Sequence, residues 1–172
     1  MPEDNKYPNL IIRGVNRDND AIFDFLKPKI HGKWCDVGCN IGVLLAEVPN
    51  GVGVDAGLDV VNKAKEKGLN VCHADACSLP FGDGEFDTVV MSCVLEQIPL
   101  WQNALDEAIR VTKTGGVILG INPIPESPIW GVIGGTEWVK STIEPDDLKH
   151  YYQAKIVYPS LLNKYYFEID KR

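Results

Sequence analysis

The sequence predicts an α/β protein: a mostly parallel sheet of seven strands, helices on both faces, and an antiparallel hairpin at the C-terminal end. Three observations carry that expectation. Short apolar runs alternate with helix-patterned segments from Lys33 to Ile121, the rhythm of successive β-α-β units. The run Phe86-Asp87-Thr88-Val89-Val90-Met91-Ser92 is apolar enough to be covered on both faces, as strands of a parallel sheet are. Beyond Ile121 the rhythm stops, and two closely spaced strand-like runs, Lys155–Tyr158 and Lys164–Ile169, are placed to pair antiparallel.

The elements follow in order. Met1 to Leu10 is polar, holds two prolines and reads as an arm. Asn16 to Asp20 offers capping side chains ahead of a short amphipathic helix, Ala21–Leu26, stopped at Pro28. Lys33–Val37 is the first strand and Ile41–Glu47 a helix ended by Pro49-Asn50-Gly51. Val52–Asp55 is the second strand. The next helix, Leu58–Lys67, is closed by Gly68, a good C-terminal cap. Leu69–His73 is the third strand, and the turn-rich Leu79–Glu85 leads into the fourth, Phe86–Ser92. Asn103–Val111 repeats apolar residues at helical spacing through Leu105, Ala108 and Ile109; Thr114-Gly115-Gly116 breaks it before the fifth strand, Val117–Ile121. Asn122 to Thr142 is Pro- and Gly-rich with two tryptophans and reads as loop, and Glu144–Tyr152 as a helix entered through Pro145. The whole, 1–172, reads as one domain: arm and cap helix over 1–30, core over 33–121, loop and last strands over 122–172.

Composition narrows the function. At 172 residues the chain is long enough to bury a proper core. A net charge of −7 repels phosphate backbones, and the Lys-rich stretch Lys63–Lys67 contains Glu66 at helical spacing, so no nucleic-acid partner is expected. No basic-then-apolar leader and no apolar run near 18 residues is present, so a membrane span is not expected and a cytoplasmic location is. Five cysteines, Cys35, Cys39, Cys72, Cys77 and Cys93, sit mostly in or beside buried runs and read as reduced thiols. The three histidines are scattered, and no metal site is expected.

The chemistry lies in the loop Asp36-Val37-Gly38-Cys39-Asn40-Ile41-Gly42 and in the acid Asp55 that ends the second strand. Backbone against one part of a ligand and a carboxylate on ribose hydroxyls is how a β-α-β unit holds a nucleoside. A dinucleotide wants bare backbone under its pyrophosphate, yet this loop has only Gly38 and Gly42 around Asn40. Asp36, directly before it, suits a cation rather than a pyrophosphate.

Three further stretches complete a pattern: His73-Ala74-Asp75-Ala76-Cys77-Ser78-Leu79-Pro80-Phe81-Gly82-Asp83-Gly84-Glu85-Phe86-Asp87, Val89-Val90-Met91-Ser92-Cys93-Val94-Leu95-Glu96-Gln97-Ile98, and Ala104-Leu105-Asp106-Glu107-Ala108-Ile109-Arg110-Val111-Thr112-Lys113-Thr114-Gly115-Gly116. In this order, over roughly Lys33 to Ile121, the chain resembles the small class I S-adenosylmethionine-dependent methyltransferases of the UbiE-like, methyltransferase-11 type. The resemblance implies a Rossmann-like sheet and S-adenosylmethionine as cofactor. It places Asp36, Gly38, Cys39, Asn40 and Gly42 along the methionine part, Asp55 and Ala56 at the ribose, Asp75 and Ala76 at the adenine, and Cys93 at the sulfonium end. Cys93 also reads as a packing residue, and Glu107 and Arg110 read as surface residues of a helix.

Acceptor recognition falls outside the matched core, to the segment Tyr7–Arg17 and to the loop leaving the fifth strand. Gln97, Asn122, Glu126 and Trp130 are the substrate-side candidates, with Trp138 a second aromatic wall. No catalytic base is evident: relatives carry His where this chain has Gln97, and Glu96, Glu126, Glu137 and His150 are alternatives. The expected function is methyl transfer to an O or N atom of a small-molecule or glycan-type acceptor. The alternative is a catalytically inactive cofactor-binding or scaffold subunit, and a nucleotide-dependent oxidoreductase is the third reading. A second copy or a partner subunit completing a short acceptor pocket is the remaining expectation.

Overall fold

The computed structural model describes residues 22–124, 141–158 and 164–172. The arm, the segment around Tyr7–Arg17, and the loop residues Glu126, Trp130, Glu137 and Trp138 lie outside them. One seven-stranded sheet has the order β3-β2-β1-β4-β5-β7-β6. Its strands are β1 (Trp34–Val37), β2 (Gly51–Asp55), β3 (Val71–His73), β4 (Phe86–Ser92), β5 (Thr112–Pro123), β6 (Lys155–Val157) and β7 (Lys164–Asp170). The first five run parallel; β7 is antiparallel to β5, and β6 antiparallel to β7, which is the expected hairpin.

Two apolar layers sandwich the sheet. On one face, helix α1 (Val43–Glu47), helix α2 (Leu58–Glu66) and helical residues 22–26 bury Leu44, Leu45, Val61, Ala64, Ile22 and Leu26 against Trp34, Val90 and Leu119. On the other, helix α3 (Trp101–Val111) and helix α4 (Pro145–Tyr152) bury Trp101, Leu105, Ala108 and Leu148 against Val89, Ile118 and Phe167. β1 is buried at all four positions and β4 nearly so, as continuous apolar runs in a two-faced sheet should be.

Several element ends differ from the sequence reading by one or two residues, α1 beginning at Val43 rather than Ile41 and β3 at Val71 rather than Leu69, and two differences bear on packing. α3 begins at Trp101, two residues early, because that indole is buried and starts the apolar stripe. Thr114-Gly115-Gly116 does not interrupt before a strand: α3 passes directly into β5, and the ladder with β4 shifts register between Phe86↔Thr112 and Thr88↔Val117. Residues that read as a breaker form a bulge instead, with Gly115 at φ 81. At Gly120 the bare backbone lies under the Phe167 ring of β7, so a methyl there would fall inside the ring.

Candidate functional site

The cofactor-side residues named from the sequence, with Gln97, lie where parallel strands end. β1 leads into the 38–42 loop, β2 ends on Asp55, β3 leads to Asp75, and β4 to Cys93 and Gln97. The strand order runs outward in opposite directions from the β1–β4 pair, the switch point at which open α/β sheets bind ligands.

The loop after β1 is held open by its backbone. Gly38, Asn40 and Gly42 all take left-handed conformations, with φ of 77, 51 and 73. At Gly38 the lack of a side chain is also steric, since a Cβ would come within 2.6 Å of Val94. Gly38 and Cys39 both donate N–H bonds to the Val54 carbonyl, at 2.8 and 3.0 Å, tying the loop to β2. Asp55 fixes it further: one carboxylate oxygen accepts the Asn40 N–H and the other the Gly57 N–H, each at 2.8 Å.

Asp36 is the unusual group. It sits inside β1, between Gly53 and Val90, and is only 4% exposed. Burial, with the Asp55 charge added, raises its carboxyl to about 7. The neighbouring Cys39 thiol is pushed well up by burial and stays un-ionised.

A cleft of about 670 Å³ opens beside β3, lined by Ala56, His73, Asp75, Cys77, Gln97 and Leu100 among others. His73 Nε2 lies 2.9 Å from the Ala56 carbonyl oxygen, and Asp75 Oδ1 accepts the Cys77 N–H at 2.8 Å. Gln97 therefore belongs with Ala56 and Asp75, and its amide donates to the Cys93 carbonyl at 2.7 Å. Asn122 is elsewhere, buried at the end of β5 and bonded to Tyr165. The structure thus separates these two candidates. Of the other candidate bases, His150 is exposed on α4 and Glu96 is buried.

The surface reading of Glu107 and Arg110 is corrected. Glu107 accepts the Leu79 N–H at 2.8 Å, while Arg110 donates to the Leu79 and Phe81 carbonyls and to Asp83. Together they clamp the Leu79–Asp83 loop. Their three-residue spacing on a helix was legible; the distant loop backbone that they reach was not. Among the described residues no cluster of His, Cys, Asp and Glu could hold a metal, and no helix is long and apolar enough to cross a membrane.

The sheet order, five parallel strands continued by antiparallel β7 and β6, is that of the S-adenosylmethionine-dependent methyltransferase fold. Comparison with known proteins agrees. A family model described as "Methyltransferase domain" matches residues 35–120, half of the chain, and the protein belongs to that family. The chain is 40% identical over 83 residues to a demethylmenaquinone methyltransferase of Thermobifida fusca, covering 44% of this chain and 35% of that protein. It is 35% identical over 103 residues to one of Staphylococcus haemolyticus, covering 53% and 43%. The chain thus spans less than half the length of these curated relatives. In fold it matches a "SAM-dependent methyltransferase, possible histamine N-methyltransferase" of Thermotoga maritima, with a TM-score of 0.73 over 95% of this chain and 98% of that one, at 17% identity.

Proposed function

We propose that this protein transfers a methyl group from S-adenosylmethionine to an O or N atom of a small-molecule acceptor. The observation that carries the reading is Asp36. It is a carboxylate buried in a central strand that no cation among the described residues offsets, beside a loop of three left-handed residues. A ligand bearing an ammonium and a sulfonium supplies the missing charge.

The residues present fit that cofactor. Asp36 faces the cationic methionine end, and the 38–42 backbone runs beside it. Each Asp55 oxygen accepts one N–H and keeps lone-pair capacity for a ribose hydroxyl, so the contacts that shape the loop also aim the acid. Asp75 uses Oδ1 on the Cys77 amide, which leaves its second oxygen for the adenine amino group, with the Ala76 N–H beside it. Cys93, at φ 53, turns the chain between the two ends of the site. The bound cofactor supplies a methyl carbon already activated by its sulfonium. What remains for the protein is to orient an acceptor lone pair, exclude water and receive any proton released.

Calorimetric titration tests this reading. S-adenosylmethionine and its demethylated product should bind and NAD should not, and Asp55→Ala should weaken the cofactor by about tenfold or more. Binding of NAD in their place would overturn the reading. Binding of the cofactor without turnover on a panel of amines, alcohols, quinols and sugars would favour the scaffold alternative.

A further inference from the structure

Asp75 lines the cleft, is exposed, and belongs to a turn hung between two anchors. The turn is closed on itself: the Asp75 side chain accepts the Cys77 N–H at 2.8 Å, and the Asp75 carbonyl accepts the Ser78 N–H at 3.0 Å. Neither bond ties it to the rest of the fold. Upstream the anchor is main chain, the Ala74 N–H donating to the Asp55 carbonyl at 3.1 Å. Downstream the anchor is made of side chains.

There Leu79 is held at both of its backbone groups by one ion pair of α3. Its N–H donates to Glu107 Oε2 at 2.8 Å, and its carbonyl accepts from a terminal nitrogen of Arg110 at 3.2 Å. That nitrogen and Arg110 Nε also reach the two Glu107 oxygens, at 2.8 and 2.7 Å, a two-pronged contact that fixes which way the carboxylate faces. The other terminal nitrogen donates to the Phe81 carbonyl at 2.9 Å and to Asp83 at 2.7 Å. The bonded Arg110 guanidinium holds the Glu107 carboxyl below the usual carboxylate range, so the pair stays charged at neutral pH. Packing already accounts for the burial of the Leu79 side chain. What the pair adds is the direction in which the backbone leaves the turn.

α3 reaches the cleft as well. Asn103 lines it with Asp75, and Asn103, Glu107 and Arg110, spaced four and three residues apart, share one face of the helix. One rigid element thus lends a residue to the cleft and grips the segment that carries the acid. We propose that Glu107 and Arg110 are positioning residues, which hold Asp75 where it meets the cofactor's adenine amino group.

The inference rests on the reading of Asp75 as the adenine acid and deepens it. A hydrogen bond from an amino group to a carboxylate is directional, and an error of about 1 Å in the acid's position loses most of it. A fold that is merely loosened weakens every ligand alike. A displaced Asp75 weakens only those that carry the amino group.

The test uses the whole chain and two ligands, S-adenosylhomocysteine and S-inosylhomocysteine, the second bearing a carbonyl oxygen in place of the amino group. Calorimetry should show the parent favouring the adenosyl compound by about tenfold or more, and Asp75→Ala removing that preference. Glu107→Ala should cut the preference by at least about threefold, whereas Glu107→Gln, which keeps an acceptor for the Leu79 N–H, should retain most of it. Asp75→Ala combined with Glu107→Ala should lose no more preference than Asp75→Ala alone. Should Glu107→Ala not fold, Arg110→Lys carries the same test, because it keeps the charge and loses the fork that reaches Leu79 and Phe81 together. An unchanged preference in either variant, with both compounds weakened alike, would overturn the positioning role. A parent that binds neither compound, or does not tell them apart, would overturn the placement of the cofactor, and the positioning role with it.

Discussion

Replacing Asp36 with Asn should stabilise the ligand-free protein at pH 8 and weaken its hold on the cofactor. The carboxyl is raised from 3.8 to about 7 by burial and by Asp55. At about 1.4 kcal/mol per pH unit, that rise sets a ceiling of about 4 kcal/mol on the cost of ionising it in place. Water entry and local relaxation reduce the realised figure, so a gain of at least about 1 kcal/mol is expected. The sign follows from linkage. The folded chain holds this proton more tightly than the unfolded one, so stability is full below pH 4, falls as pH rises towards 7, and stays low above it. Asn carries no such penalty. The difference between variant and parent should therefore be large at pH 8 and vanish near pH 4. Thermal melts across that range read it directly, at roughly 2–4 °C per kcal/mol for a chain of this size. Calorimetry supplies the second arm: S-adenosylmethionine affinity should rise from pH 6 to pH 8 in the parent and be lower and flatter in the variant. A variant that melts below the parent at pH 8, or that binds the cofactor with the parent's pH dependence, would refute the assignment.

Two other substitutions test the scaffold around the site. Arg110→Ala removes the donors that hold the Leu79 and Phe81 carbonyls and releases Glu107 from its ion pair. A loss on the order of 1–2 kcal/mol is expected in urea melts, with faster proteolysis confined to the Leu79–Asp83 loop. Gly120→Ala drives a methyl into the Phe167 ring at the paired position of β7 and should destabilise the chain by roughly 2 kcal/mol or more, read by thermal denaturation. A neutral result at Gly120 would mean that β7 can shift away from β5.

The strand and helix alternation was legible because each element carries its own period and its own stop: Gly68 closes α2, and Pro145 opens α4. The acids at the strand ends were legible for the same reason, being fixed by where an apolar run stops. The bulge in β5 was not. Thr114-Gly115-Gly116 has the composition of a loop, and only the pairing of Thr112 and Val117 on either side of it, with Gly115 and Gly116 bonded to Lys171, carries the strand through it. The burial of Glu96 and the reach of Arg110 were hidden likewise. Both depend on chain more than twenty-five residues away, at Tyr165 and at the Leu79–Phe81 backbone. Asn122 was named from its place after the fifth strand, yet the orientation of its amide follows only from the bond that Tyr165 gives to Ile143.

Asp36 in β1 and Glu96 in the turn after β4 present the same physical problem. Each is a carboxylate buried against its own solvation, and each is lifted to about 7. Lys164 of β7 bears on Glu96, whereas no cation acts on Asp36, and unmet charge like that of Asp36 gathers where ligands bring the counter-charge. The two differ in what would meet them. For Asp36 the proposed partner is a fixed cation that arrives with the cofactor; for Glu96 the cation is Lys164, already part of the fold. The cofactor should therefore silence only one of the two groups. Adding S-adenosylmethionine should remove the Asp36 share of the pH-dependent stability and leave the Glu96 share. A single ligand that abolished both shares would place the two acids in one site.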